Sequence, residues 1–181
     1  MTFSISARCA RTGEFGIAVS SSSPAVAARC AYAQAGAGAV ATQNITDPTL
    51  GPKGLDLLAC GLPAEAALER LRAEAPHIEY RQVALVDRSG GTAAFSGSRT
   101  LGVHRTAQGP GVVAAGNLLA SPGVPAAMVA AFLAMPEHPV AARLLAAMRA
   151  AVAAGGEEGP VHSAGLLVVR DVAWPIADLR V

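Results

Sequence analysis

Thr2 has the clearest potential for chemistry in the sequence, because only Met1 precedes it. Cellular methionine aminopeptidases remove Met1 when the next residue is small, so we expect Thr2 to carry a free α-amino group. A threonine hydroxyl is a weak nucleophile, but an α-amine on the same residue can accept its proton as general base. A small second residue also occurs for N-terminal processing alone, so both interpretations stay open.

Further candidate residues lie where apolar strands end. Gln43 and Asn44 follow one such strand, and Asn117 follows another. Amide side chains at a strand end can converge with backbone N–H groups on a developing oxyanion, although a turn or a cap explains them equally well. Ser21, in a run of four serines, and His104, in a glycine-rich loop, are weaker candidates for lining a substrate site.

The sequence does not indicate a metal or nucleotide site. Its four histidines stand apart from any ligand-spaced Cys, His or carboxylate, so we expect no metal and no other cofactor. The stretch GAGAVA at 36–41 matches a dinucleotide-binding fingerprint, but the residues that follow, TQNITDP, do not begin a helix. We interpret this stretch as a turn that enters a tightly packed strand.

Charge and cysteine content narrow the expected partners and location. The net charge is +1 with no basic run, which favours neither nucleic acid nor a membrane surface and leaves a small molecule as the expected partner. Three scattered cysteines suit free thiols in a reducing compartment. The first residues do not resemble a signal peptide, so we expect a cytoplasmic protein.

Hydrophobic periodicity and turn residues predict an alternation of strands and paired helices. Small and apolar residues make up most of the strand segments, and prolines precede or begin the helical ones. Hairpins are predicted over 2–20, 80–96 and 166–181, single strands over 37–42 and 112–115, and a weak strand over 29–35. Helices are predicted over 52–60, 63–75, from 122, and over 139–154.

Paired helices between runs of strands predict an α+β fold with one domain over residues 1–181. Several strands are apolar on both faces, which is expected when each sheet is covered on both sides. We therefore predict a four-layer αββα sandwich, in which two stacked, mainly antiparallel sheets lie between two layers of helices.

Several short stretches, in order and at compatible spacing, resemble a bacterial family catalogued as domain of unknown function 1028. That family is placed with the N-terminal nucleophile (Ntn) hydrolases. The stretches that carry the resemblance are TFSI at 2–5, GAGAVATQ at 36–43, LGPKGL at 50–55, RQV at 81–83, FSG at 95–97, GNLL at 116–119 and DLRV at 178–181.

The resemblance implies roles for particular residues. Thr2 matches the nucleophile position of Ntn hydrolases, Gln43 and Asn44 lie where such enzymes place an oxyanion donor, and Asn117 lies near a corner that supports the site. Ser22 stands where many relatives have Lys or Arg after the second strand. An aromatic residue that relatives often carry near Gly102–His104 is absent here.

Together these observations predict a hydrolase that cleaves an amide bond of a small molecule. Thr2 and Asn117 are the predicted catalytic residues, and the predicted substrate-binding residues are Gln43, Asn44, Ser21 and His104. The alternative is a non-catalytic small-molecule-binding or assembly module that keeps the Ntn fold. Homo-oligomerisation is compatible with the Ala- and Gly-rich composition but is not specified by it.

Overall fold

The computed structural model describes residues 1–181 and contains ten strands and five α-helices. The strands are β1 (Thr2–Arg8), β2 (Phe15–Ser21), β3 (Ala31–Gln34), β4 (Gly38–Asn44), β5 (Arg81–Asp87), β6 (Thr92–Ser96), β7 (Arg105–Gly109), β8 (Val112–Asn117), β9 (Ser163–Val169) and β10 (Ala177–Arg180). The helices are α1 (Val26–Cys30), α2 (Leu50–Ala59), α3 (Ala64–Glu74), α4 (Val124–Leu133) and α5 (Val140–Ala153). None of the helices is long and apolar enough to cross a membrane.

The strands form two stacked antiparallel sheets. The larger sheet has six strands in the order β10-β9-β2-β1-β8-β7, and the smaller has four in the order β3-β4-β5-β6. Every pair of neighbouring strands is antiparallel. The strand β1 therefore lies at the centre of the larger sheet, hydrogen-bonded along both of its edges.

Each sheet packs against its own helices. Phe3, Ile5 and Ala7 of β1 point to one face and form a buried cluster with α4 and α5. On the smaller sheet, Val40 and Leu85 pack in the same way against α2 and α3. Alternate residues of a strand point to opposite faces, so the intervening positions of β1, β4 and β5 face the space between the sheets.

Small side chains fill most of the space between the two sheets. Ala39, Ala41 and Ala84 of the smaller sheet meet residues such as Val113 and Ala115 of the larger one, and all are fully buried. Alanine adds little bulk beyond the backbone, which allows the sheets to approach closely. The apolar composition with few aromatic residues is explained by this packing.

The predicted order of strands and helices is largely confirmed, and the structure differs from it at a few elements. The short helix α1 and the edge strand β7 were not predicted from the sequence, because neither has a distinctive apolar pattern. Helix α4 begins at Val124 and not at Pro122 as predicted, since the Ser121 hydroxyl accepts a hydrogen bond from the N–H of Gly123 in a turn before the helix. The stretch at 36–41 enters β4 and does not begin a helix.

Candidate active site

Thr2 begins β1 and lies between two neighbouring strands. It pairs with Ser21 of β2 on one side and with Asn117 of β8 on the other. Because strand residues alternate, Thr2 and Ser4 face the smaller sheet, whereas Phe3 packs towards the helices. Thr2 is only 5% exposed. Regular strand pairing on both sides therefore fixes the position of its hydroxyl.

The Met1 carbonyl lies next to two hydroxyl groups. Thr2 Oγ1 donates a hydrogen bond to the Met1 carbonyl oxygen, and Ser21 Oγ donates another to the same oxygen. The two hydroxyl oxygens are 3.1 Å apart. A hydroxyl has a single proton, so two hydroxyls that both donate to the carbonyl do not hydrogen-bond to each other. Ser21 is thus a donor placed to hold a carbonyl oxygen beside the Thr2 hydroxyl.

Buried amide groups join the two sheets close to Thr2. Ser4 Oγ donates to Gln43 Oε1 at 2.7 Å, and Gln43 Nε2 donates to Gln82 Oε1 at 2.7 Å. The same Gln82 oxygen accepts from Asn117 Nδ2 at 3.2 Å. Gln82 Nε2 in turn donates to Ser96 Oγ and to the Gly116 carbonyl. Gln82 is therefore the centre of a polar network that fixes Gln43 and Asn117.

Asn117 has one polar atom that this network leaves without a partner. Its Oδ1 is buried and accepts no hydrogen bond, although its Nδ2 is bonded to Gln82. A buried acceptor without a donor is costly, and such atoms in folded proteins often mark a functional site. Because Asn117 pairs with Thr2, this free acceptor lies beside the N-terminal end of β1.

A segment after α5 covers Met1 from the other side. Glu157 pairs with Leu119, and the N–H of Glu158 donates to the Leu118 carbonyl, so the segment is fixed to the end of β8. A Cβ atom added at Gly159 would lie 2.7 Å from Cε of Met1. The Met1 side chain therefore rests directly on the glycine backbone.

Glu157 is a buried acid in this segment. It is 6% exposed, and neither carboxyl oxygen has a hydrogen-bond partner. Burial raises its pKa above the usual range, against the opposite effects of the Met1 α-ammonium, His162 and the backbone N–H of Ser22. The Ser22 N–H lowers the pKa of Glu157, although it does not form a hydrogen bond of ordinary geometry with the carboxyl group.

Cys30 is a second buried titratable group affected by the charge of the Met1 amine. Burial raises the pKa of its thiol, while Thr46, 3.5 Å from the sulfur, and the charges of Arg29 and Met1 lower it. The net shift is upward, so the group stays a thiol at neutral pH. Cys30 is therefore a poor candidate for the nucleophile.

A large, mainly apolar cavity lies elsewhere in the molecule. It has a volume of about 430 Å³ and lies between α5 and the strands β9 and β10. Phe3 and Ser20 reach it from the face of the larger sheet opposite Thr2, and none of its lining side chains is titratable. We therefore place the candidate active site at Thr2, where the polar groups converge.

Comparison with known proteins identifies the family. The sequence profile of a family of unknown function, DUF1028, matches residues 2–181. The chain belongs to this family. The crystal structure of protein SPO2555 from Silicibacter pomeroyi, also assigned to DUF1028, superposes with a TM-score of 0.91 at 32% identity, over 99% of this chain and 77% of that one. No curated protein matches the chain.

Not every predicted site residue of this DUF1028 protein joins the cluster at Thr2. The structure brings Ser21, Gln43 and Asn117 to it. Asn44 ends β4, and its amide instead donates to the Tyr80 carbonyl and accepts from the N–H of Leu101.

His104 also lies apart from the cluster. It is in the loop before β7, and its Nδ1 is 3.0 Å from the Gly102 carbonyl. That contact is within its own loop. Both Asn44 and His104 therefore have local structural partners in place of the predicted contacts with the site.

Two residues of the site were not singled out in the sequence. Gln82 lies near the start of β5, directly before its apolar run, and is fully buried; a buried polar residue of this kind is normally part of a hydrogen-bond network. Glu157 has no comparable signal, because it stands next to Glu158 in a glycine-rich loop typical of exposed acids. Only the packing of residues 157–159 over Met1 reveals it.

No three His, Cys, Asp or Glu side chains gather in a group that could hold a metal ion. The chemistry offered at Thr2 is that of hydroxyl, amide, amine and carboxyl groups.

Proposed function

We propose that this DUF1028 protein is an N-terminal nucleophile amidohydrolase that cleaves an amide bond of a small molecule. The helices packed on the outer faces of both sheets support a four-layer sandwich of the Ntn-hydrolase type. The proposal depends on one observation: the Thr2 hydroxyl lies against a carbonyl group that Ser21 also contacts. It requires that Thr2 is the first residue of the working protein.

In the proposed first step, the Thr2 α-amine takes the proton of Oγ1, and Oγ1 attacks the amide carbon of the substrate. The Ser21 hydroxyl donates to the resulting oxyanion. When the C–N bond breaks, the Thr2 α-ammonium gives its proton to the leaving amine, and an ester on Oγ1 remains. The α-amine then takes a proton from water as the water attacks the ester carbonyl, and the α-ammonium returns that proton to Oγ1 when the ester C–O bond breaks and the carboxylic acid leaves.

In this scheme the amide side chains near Thr2 orient the reacting groups and do not themselves transfer protons or form bonds. Asn117 Oδ1 is a free acceptor that suits the Thr2 α-amine once Met1 is gone. Gln43 and Gln82 hold Asn117 and Ser4 in place by hydrogen bonds between the sheets. This assigns Asn117 to orienting the base, and Ser21 to the oxyanion, which refines the roles expected from the sequence.

A second candidate is a binding or assembly module that has the fold without the reaction. In protein that keeps Met1, the Thr2 nitrogen is part of a peptide bond and cannot act as a base. The intact mass of the purified native protein separates the two candidates. A mass that includes Met1 in folded, fully processed protein favours the module.

Hydrolysis itself is tested with a panel of small amides, lactams and ureido compounds. We expect the wild type and Thr2→Ser to release amine, because both keep a hydroxyl and an α-amine. Thr2→Val keeps the shape and the amine but has no nucleophile, so its turnover should fall by at least about a thousandfold. Turnover by Thr2→Val at the wild-type rate, on a substrate that the wild type cleaves, would refute the proposal.

A further inference from the structure

A row of four polar side chains crosses the larger sheet at the level of Thr2. In the strand register, Asn117 pairs with Thr2, Thr2 pairs with Ser21, and Ser21 pairs with Ser163 of β9. Directly paired strand residues point to the same face of a sheet, so Ser163 lies on the face that carries Thr2. Ser163 is 4% exposed. It is therefore a buried hydroxyl next to Ser21, on the side away from Thr2.

The turn that follows β2 fixes the Ser21 hydroxyl. Ser21 Oγ accepts a hydrogen bond from the N–H of Ser23 at 3.0 Å, while its own proton goes to the Met1 carbonyl oxygen. The Ser23 N–H occupies one lone pair of this oxygen and leaves the single proton free for an acceptor beside Thr2. In the proposed reaction that acceptor is the oxyanion. The position of the Ser23 backbone therefore helps to set where the oxyanion donor lies.

Ser163 holds this turn at two points. Its Oγ donates to the Ser23 carbonyl oxygen at 2.6 Å and accepts from the N–H of Val26, the first residue of α1, at 3.1 Å. Between them, Ala25 has a left-handed φ of 53°, which is unfavourable for a residue with a Cβ atom. A turn that contains such a residue keeps its shape only when its surroundings hold it, and Ser163 provides a hydrogen bond at each end.

We infer that Ser163 is a positioning residue for the oxyanion donor, because it holds the Ser23 backbone and Ser23 in turn holds the Ser21 hydroxyl beside Thr2. The inference rests on the proposed function and adds a residue to its oxyanion site. Both hydrogen bonds of Ser163 Oγ go to the turn, so its effect on the reaction passes through Ser21.

The test measures how fast β-butyrolactone acylates protein that begins at Thr2, by mass spectrometry of the peptide that contains Thr2. In this reaction Oγ1 attacks the lactone carbonyl, the ring C–O bond breaks, and the Oγ1 proton passes through the α-amine to the leaving alkoxide. Negative charge develops on the carbonyl oxygen, so the rate depends on the donor Ser21.

We expect Ser163→Ala to slow this acylation by about 3- to 10-fold, the effect of losing one ordinary hydrogen bond. Thr12→Ala is the matched control. It removes a hydroxyl that accepts from the N–H of Glu14 in the turn at the opposite end of β1 and β2, and the rate should not change. Equal rates for Ser163→Ala and the wild type would overturn the inference.

A double-mutant cycle separates positioning from a general effect on the fold. Ser21→Ala should slow acylation by about a hundredfold, because it removes the oxyanion donor. Adding Ser163→Ala to this variant should have no further effect, since the hydroxyl that Ser163 positions is already gone. A second loss of about 3- to 10-fold in the double variant would show that Ser163 acts independently of Ser21, and would overturn the inference.

Two other substitutions provide the test if Ser163→Ala does not fold. Ser163→Thr keeps the hydroxyl and should retain the wild-type rate, whereas Ser163→Cys keeps the approximate size with a weaker donor and should be slow. Equal rates for these two variants would overturn the role of Ser163 and leave the proposed function in place. A wild type that is not acylated at Thr2 would refute the proposed function, and the inference with it.

Discussion

Glu157 links burial, charge and stability in a single residue. Burial raises its pKa above the ordinary glutamate value of 4.5 in the protein with Met1 in place. The folded state therefore holds this proton more tightly than the unfolded state. The contribution to stability is fully present below the ordinary pKa, and it is lost as pH rises through the higher folded pKa.

We predict that Glu157→Gln gains stability relative to the wild type as pH rises from 4 to 7, because the glutamine stays neutral. The measurement is urea unfolding at several pH values, on protein produced with methionine aminopeptidase inhibited. Glu158→Gln is the control, since the acid that it removes is exposed. If the difference between Glu157→Gln and the wild type does not change with pH, the carboxyl group is not held neutral by burial.

The functional role of some single residues can be predicted from the sequence, and that of others cannot. Thr2 could be identified because its chemistry follows from its place after Met1. Asn44 was predicted from its place at a strand end, but its backbone adopts a positive φ of 77° there and its amide bonds to neighbouring loops. An amide side chain at a strand end can hydrogen-bond either to residues of a site or to the backbone of a local turn, and the sequence does not show which it does.

At the scale of elements, the two sheets are joined by polar as well as apolar contacts. Gln82 of β5 accepts from Gln43 of the neighbouring strand β4 and, across the space between the sheets, from Asn117 of β8. Elsewhere that space holds mainly alanine and valine. Removing the central amide therefore leaves several buried groups without partners.

We predict that Gln82→Ala lowers the free energy of unfolding by roughly 2 kcal/mol or more, because each buried partner left unpaired costs about 1–3 kcal/mol. For a chain of this size the fall in Tm should be at least about 4 °C. The change is measured by thermal unfolding, with the exposed Gln34→Ala as the control. Equal Tm values for the two variants would show that the network does not stabilise the packing of the sheets.

Most elements could be predicted from the sequence, but their partners could not. The alternation in β1 and the apolar run of β4 follow from periodicity. The pairing of β1 with β8 joins residues more than a hundred positions apart, and no local pattern encodes it. Strand β7 was missed because it is a half-exposed edge strand with few apolar residues.

At the scale of the whole molecule, distant parts of the chain meet at Thr2. Ser21 comes from β2 and Asn117 from β8, and Gly159 of the segment after α5 contacts the adjoining Met1. The two sheets and their helices hold these segments in register. The cytoplasmic location and the homo-oligomer expected from the sequence stay predictions.

The proposed reaction requires that the Thr2 hydroxyl of the mature protein is a nucleophile. It is tested most directly by mass spectrometry of the protein after reaction with a small β-lactone, an electrophile that acylates an activated hydroxyl and requires no knowledge of the substrate. We predict one adduct, mapped to Thr2. It should be absent from Thr2→Val and from protein that keeps Met1. A folded mature protein without an adduct, or one labelled equally in Thr2→Val, would contradict the account.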